Sequence, residues 1–179
     1  MRFVVDGMLG KLTRWLRMMG HDALYLNDAK DRDLVASAIQ EKRILLTSDV
    51  ALWRYAIVHG AEAFLVKGRT EAERLASLAN RFKFELSVDT TESRCPACGF
   101  ELKATLKEEV KSKVPETTFN VFDEFWACSN PECGKVYWQG SHWENINAIL
   151  EKAKKFQTSD KESKGRWLRL TRSKTDVFS

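Results

Sequence analysis

The chain of 179 residues has no apolar run long enough to form a membrane-spanning helix, and its start, MRFVVD, lacks the layout of a secretory signal. These absences lead us to expect a soluble cytoplasmic protein with no membrane partner. There is no Walker-type phosphate loop and no G-x-G-x-x-G, so a bound nucleotide cofactor is not expected. Every cysteine belongs to a close pair, which leaves no lone thiol to act as a nucleophile, and a Ser/His/Asp triad has no local support. Internal repeats and low-complexity tracts are also missing. What is present is a composition of 44% hydrophobic and 30% charged residues, enough to bury a core and too apolar for a disordered chain.

Charge is unevenly spread. Residues 1–92 carry 14 Lys/Arg against 13 Asp/Glu, residues 93–150 carry 6 against 8, and residues 151–179 carry 9 against 4. The net charge of +4 therefore resides in the tail. A basic tail suits a polyanion such as nucleic acid, although a solvated, poorly ordered terminus has the same composition.

The first 89 residues alternate between short apolar runs and helical periodicity. RFVVD, DALYL, RILLT and AEAFLV read as strands, each followed by an amphipathic segment. In the first such segment Leu9, Leu12, Trp15, Leu16 and Met19 recur at helical spacing, and Gly20 stops it. This alternation predicts a small α/β domain with a parallel sheet flanked by helices. Composition changes near residue 90. A second unit over residues 90–156 holds the cysteines, a long polar excursion between them and a final helical segment, SHWENINAILEKAKKF. The basic tail, residues 157–179, is expected to lie outside both units and to be poorly ordered.

Cys95 and Cys98 stand in CPAC, and Cys128 and Cys133 in CSNPEC, each pair followed by glycine. Two close thiol pairs far apart in sequence match the needs of tetrahedral zinc, one pair per tight turn. Disulfides or a redox dithiol are the other readings, and the absence of a secretion signal disfavours the first. Four thiolate ligands leave no open position for water, so the zinc is expected to be structural. Just beyond, KVYWQGSHW concentrates aromatic and polar groups: Tyr137 and Trp138 could stack bases or form the core of the small unit, and His142 could meet phosphate or tether a helix.

In a doubly wound sheet, ligands gather beyond the carboxyl ends of the strands. Asp6 follows strand one, Asp28, Asp31 and Asp33 follow strand two, and Asp49 follows strand three. Each could simply cap a helix, a role worth about 1 kcal/mol. Together they could hold a hard divalent cation such as Mg²⁺ or Mn²⁺, which would orient water for attack on a phosphodiester. Lys11, Arg14 and Arg17 recur every third residue on the first helix, and Arg54 sits early in the third; these cations could hold phosphates, or form an ordinary solvated face.

Taken together, FVVDGMLGKLTRWLRMMGHD, RILLTSD, SRCPACG and KVYWQGSHW resemble the Mut-seven C-terminal ribonuclease family, in that order and over roughly residues 2–150. The resemblance implies a PIN-like nuclease domain joined to a zinc ribbon, with RNA as substrate and acids at strand ends binding Mg²⁺ or Mn²⁺. Position by position it implies catalytic, metal-holding roles for Asp6, Asp49 and Asp31, with Asp33 the neighbouring candidate for the third acid. No fourth acid can be placed. Lys11, Arg14, Arg17, Arg54 and His142 are the expected RNA contacts. The main alternative is an RNA- or ribosome-associated binding protein that no longer cuts, and a third is a toxin-like nuclease with a partner inhibitor.

Overall fold

Strands β1 (Arg2–Asp6), β2 (Asp22–Leu26), β3 (Ile44–Thr47) and β4 (Ala63–Leu65) alternate with helices α1 (Gly10–Met18), α2 (Asp31–Gln40), α3 (Val50–Val58) and α4 (Glu71–Phe82). This is seen in a computed structural model that describes the backbone of residues 1–172 and side chains as far as Gln157. The four strands form one parallel sheet in the order β2-β1-β3-β4. The alternation read from sequence is present, with element ends shifted by a residue or two.

Successive strand residues face opposite sides of the sheet, and both sides are covered. Phe3 and Val5 of β1 and Leu46 of β3 meet Leu12 and Leu16 of α1 and Leu75 and Leu78 of α4. Val4 and Leu45 point the other way, onto Leu34, Val35 and Ala38 of α2 and Leu52 and Ala56 of α3. Because β2 lies on one side of β1 and β3 on the other, the chain reverses its winding at the β1/β3 boundary. The carboxyl ends of those strands frame the crevice where such sheets bind ligands.

The cysteine-bearing unit has its own antiparallel sheet of β5 (Leu102–Thr105), β6 (Phe125–Cys128) and β7 (Val136–Tyr137). The excursion between the cysteine pairs, read from sequence as merely polar, folds into two short helices, α5 (Lys107–Val110) and α6 (Glu116–Val121). Val110, Val114 and Phe125 form a small core there, against which Phe119, Phe122, Val136 and Trp138 pack.

Helix α7 (His142–Arg172) then returns to the first unit, where Leu150 and Ala153 are buried in the same core as Leu75 and Leu78 of α4. The boundary expected at residue 156 falls inside this helix, so the first part of the basic tail continues it. Residues 173–179, the rest of that tail, lie outside the described residues. Among the described residues no helix is long and apolar enough to cross a membrane.

Candidate active site and metal centre

β1 ends on Asp6, and the chain turns at once into a short 3-10 turn over Gly7–Leu9 that leads to α1. Asp6 caps that turn by accepting from the backbone N–H of Met8. β3 ends on Thr47, and Asp49 two residues later caps α3, its Oδ1 accepting from the N–H groups of Ala51 (2.6 Å) and Leu52 (3.4 Å). The capping roles considered from sequence are therefore present at both junctions.

A further bond links the two acids. The Thr47 hydroxyl accepts from the backbone N–H of Asp49 at 2.9 Å and donates to Asp6 Oδ2 at 2.7 Å. A hydroxyl has one proton to give, so accepting from Asp49 leaves that proton for Asp6. Thr47 is fully buried, which fixes its rotamer and, through it, the Asp6 carboxylate. Asp6 is half-buried, at the carboxyl end of β1 where that strand pairs with β3. Among the described residues the oxygen Oδ2 of Asp49 makes no hydrogen bond, which leaves it available to a ligand.

The third junction is looser. Lys30 occupies the cap position of α2, and Asp31 and Asp33 lie exposed in its first turn. Asp33 pairs with Arg32 at 3.4 Å, and Asp28 accepts from Asn27 at 3.3 Å. Among the described residues Asp31 has no hydrogen-bond or ion-pair partner and is the unengaged acid there. Among the described residues, only the four cysteines form a group of three or more metal-ligating side chains with donor atoms all within 4.8 Å of one another. The carboxylates of Asp6, Asp31 and Asp49 are therefore spaced more widely than the thiols. Tyr25 ties the neighbouring loops, donating to Gly7 O or Asn27 Oδ1, both at 2.9 Å.

Of the expected RNA-contacting cations, Lys11 and Arg14 lie exposed on α1, beginning just after the Asp6 turn, and Arg54 is exposed on α3. His142 is exposed at the start of α7, on the cysteine-bearing side of the molecule. Arg17 requires a correction. It is not on the solvated face but buried, at 6% exposure. Steps of three residues advance about 300° on a helix, so each step falls some 60° short of a full turn. After two such steps Arg17 has rotated out of line with Lys11 and into the packed side.

There it holds the two units together. Its Nε donates to Ala23 O at 2.9 Å, and one terminal nitrogen donates to Pro96 O (3.2 Å) and Ala97 O (2.8 Å), the carbonyls of the CPAC turn. Burial pulls its pKa below the ordinary arginine value, opposed by Cys98, Cys95 and Asp22. Gly99, at φ 86°, makes room for it: a Cβ there would lie 3.0 Å from the Arg17 Nε. Replacing Arg17 with Met removes three bonds from a charged donor, one of them to the carbonyl of buried Ala23. We expect a loss of about 3 kcal/mol, read as a thermal midpoint lower by roughly 6–12 °C. Arg17→Lys should restore only part of it, since an ammonium cannot reproduce the planar fork.

The four thiols face each other across two turns. Cys95 Sγ lies 3.8 Å from Cys133 Sγ, and Cys98 Sγ lies 3.3 Å from Cys128 Sγ, with no disulfide among them. Four thiolates about 2.3 Å from a central zinc would stand about 3.8 Å apart, so the donor set fits that ion. Cys95 has its pKa lowered to about 6: burial alone would raise it, but the Tyr137 hydroxyl at 3.2 Å and backbone N–H groups more than offset that. Burial pushes Cys128 the other way, aided by its neighbouring thiols.

Two residues escaped the sequence reading: Thr47, and Arg17 in its true role. Thr47 left a faint signal, a hydroxyl two residues before Asp49 at the end of an apolar strand. Arg17 left none.

The chain matches the family described as the Mut7-C RNAse domain over residues 1–150, which take in the first unit, the cysteine-bearing sheet and the start of α7. Comparison with curated proteins returned no match, and neither did comparison with solved structures.

Proposed function

Because the chain belongs to the Mut7-C RNAse family, we propose that it is a metal-dependent ribonuclease of PIN type that hydrolyses RNA phosphodiester bonds at the β1/β3 crevice. The observation that carries this reading is the chain of bonds from Asp49 N–H through the Thr47 hydroxyl to Asp6. It presents two acids from different strands at the crevice where this sheet topology favours a ligand. Asp6 and Asp49 would hold Mg²⁺ or Mn²⁺, with Asp31 reaching the outer waters. Mg²⁺ keeps several waters and needs only one or two direct carboxylates, which suits acids spaced as these are. A divalent ion there would neutralise charge on the phosphodiester and make water a better nucleophile.

The rest of the work falls to the chain itself. Thr47 fixes the Asp6 carboxylate, and Asp49 keeps one oxygen in its helix cap and offers the other. Lys11 and Arg14, with Arg54 from α3, hold the RNA backbone by charge and carry no sequence preference. The four cysteines hold structural zinc, and the unbridged thiols suit the reducing cytoplasm we assign to the protein.

The test is incubation of purified protein with labelled single-stranded and structured RNA under Mn²⁺ and Mg²⁺ titration. Cleavage that appears with metal and stops with chelator is the expected result. The lack of a fourth acid that can be placed favours one rival, a nuclease-like protein that binds RNA without cutting it. Mn²⁺ binding without cleavage of either RNA would decide for that rival.

A further inference from the structure

A cavity of about 650 Å³ lies between the two units, away from the acids. Its walls are aromatic: Phe122, Trp126, Tyr137, Trp138 and Trp143 all line it. Met18 and Val88 close it from the α/β side, and the size is that of a small-molecule or nucleotide site. An apolar cavity of this kind is often unfilled core. This one differs in its polar groups.

Half-buried tryptophans usually satisfy their indole N–H. Among the described residues, the indole N–H groups of Trp126, Trp138 and Trp143 make no hydrogen bond, and neither do the side chains of Gln139 and His142 at the rim. Arg94 also borders the cavity, but its guanidinium serves the neighbouring hollow, donating to Gly99 O at 3.1 Å and acting by charge on Asp22. Gly140 leaves the Trp138 edge uncovered, because a Cβ there would lie 2.8 Å from its Nε1. Flat apolar walls combined with unspent donors and acceptors suit a flat ligand with a polar edge.

From this we infer that the cavity binds an unpaired nucleobase of single-stranded RNA, stacked on the tryptophans and read at its edge by Gln139 and His142. The inference rests on the proposed ribonuclease reading for its choice of RNA. An apolar peptide side chain would also meet the rings, but would leave the indole N–H groups, Gln139 and His142 unsatisfied. A base in a duplex cannot enter, since its edge and faces are already occupied. The cavity adjoins the carboxyl end of α1, whereas the acids adjoin its amino end. A bound strand therefore has to run along α1, past Arg14 and Lys11, to reach them.

The experiment measures binding by the zinc-loaded full chain, carrying Asp6→Asn to prevent cleavage, using fluorescence anisotropy. The probes are a short uridine-rich RNA, the same strand made abasic, and a blunt duplex. We expect the abasic strand to bind about tenfold more weakly than the base-bearing one, and the duplex no better than the abasic strand. Trp143→Leu should erase the difference between base-bearing and abasic strands while leaving zinc content unchanged. Equal binding of the two strands by the unmutated cavity would overturn the inference, whether or not the protein cleaves RNA. Cleavage by the parent protein is scored separately, so a failed cavity and a failed ribonuclease reading give different results.

Discussion

Asp6→Asn is expected to reduce metal-dependent RNA cleavage by about 100- to 1,000-fold, the size of effect seen when one preorganised charge-stabilising group is removed. The substitution is nearly isosteric, and the amide oxygen can still accept from the Thr47 hydroxyl, so the bond that now measures 2.7 Å is kept. What is lost is the negative charge. Asp6 is only half-buried, hence the fold should not depend on that charge, and the thermal midpoint should move by no more than a few degrees. Cleavage rates with and without Mn²⁺, beside a melting curve, check both halves. An Asp6→Asn protein that cuts as fast as its parent would remove the β1/β3 crevice as the active site.

Loss of metal from the four-cysteine centre should be the largest single blow to stability. Apparent binding energies for structural zinc in zinc-finger peptides run to about 10–16 kcal/mol, comparable with the whole net stability of a domain. The surrounding core is small, with Val110, Val114 and Phe125 at its centre, too little to hold three short strands unaided. We expect one zinc per chain by elemental analysis. Chelation or Cys98→Ser should abolish the near-ultraviolet circular dichroism contributed by Trp126 and Trp138. The damage should spread, because Arg17 rests on the carbonyls of Pro96 and Ala97, between two of the ligands. Metal binding releases thiol protons, so resistance to chelator should weaken as pH falls. A zinc-free protein with an unchanged spectrum and melting curve would refute the assignment.

Much of this architecture could be read from local chemistry. The run FVVD sends Phe3 and Val5 to one face of the sheet and Val4 to the other, and both faces are buried as a parallel sheet demands. The cysteine pairs were equally plain, since the spacing that lets four thiols gather is set by two short turns. What the sequence hid were interactions between residues far apart in the chain. Thr47 meets Asp6 across 41 positions, and Arg17 meets Ala97 across 80. Helical drift decides whether a cation on α1 faces solvent or packing, and the three-residue spacing of Lys11, Arg14 and Arg17 concealed that drift. The polar excursion hid its core in four apolar residues, Val110, Val114, Phe119 and Phe122, too sparse among the charges to stand out.

The return of α7 has a topological consequence. Leu150 and Ala153 complete the core that Leu75 and Leu78 begin, so the chain leaves the α/β unit after α4, makes the cysteine-bearing excursion and comes back to finish what it left. The four-cysteine module is thus spliced into the α/β unit, not hung from its end. A fragment stopping at residue 89 would leave one face of α4 bare and apolar. The smallest self-sufficient piece of this protein must include the whole detour and the helix that closes it.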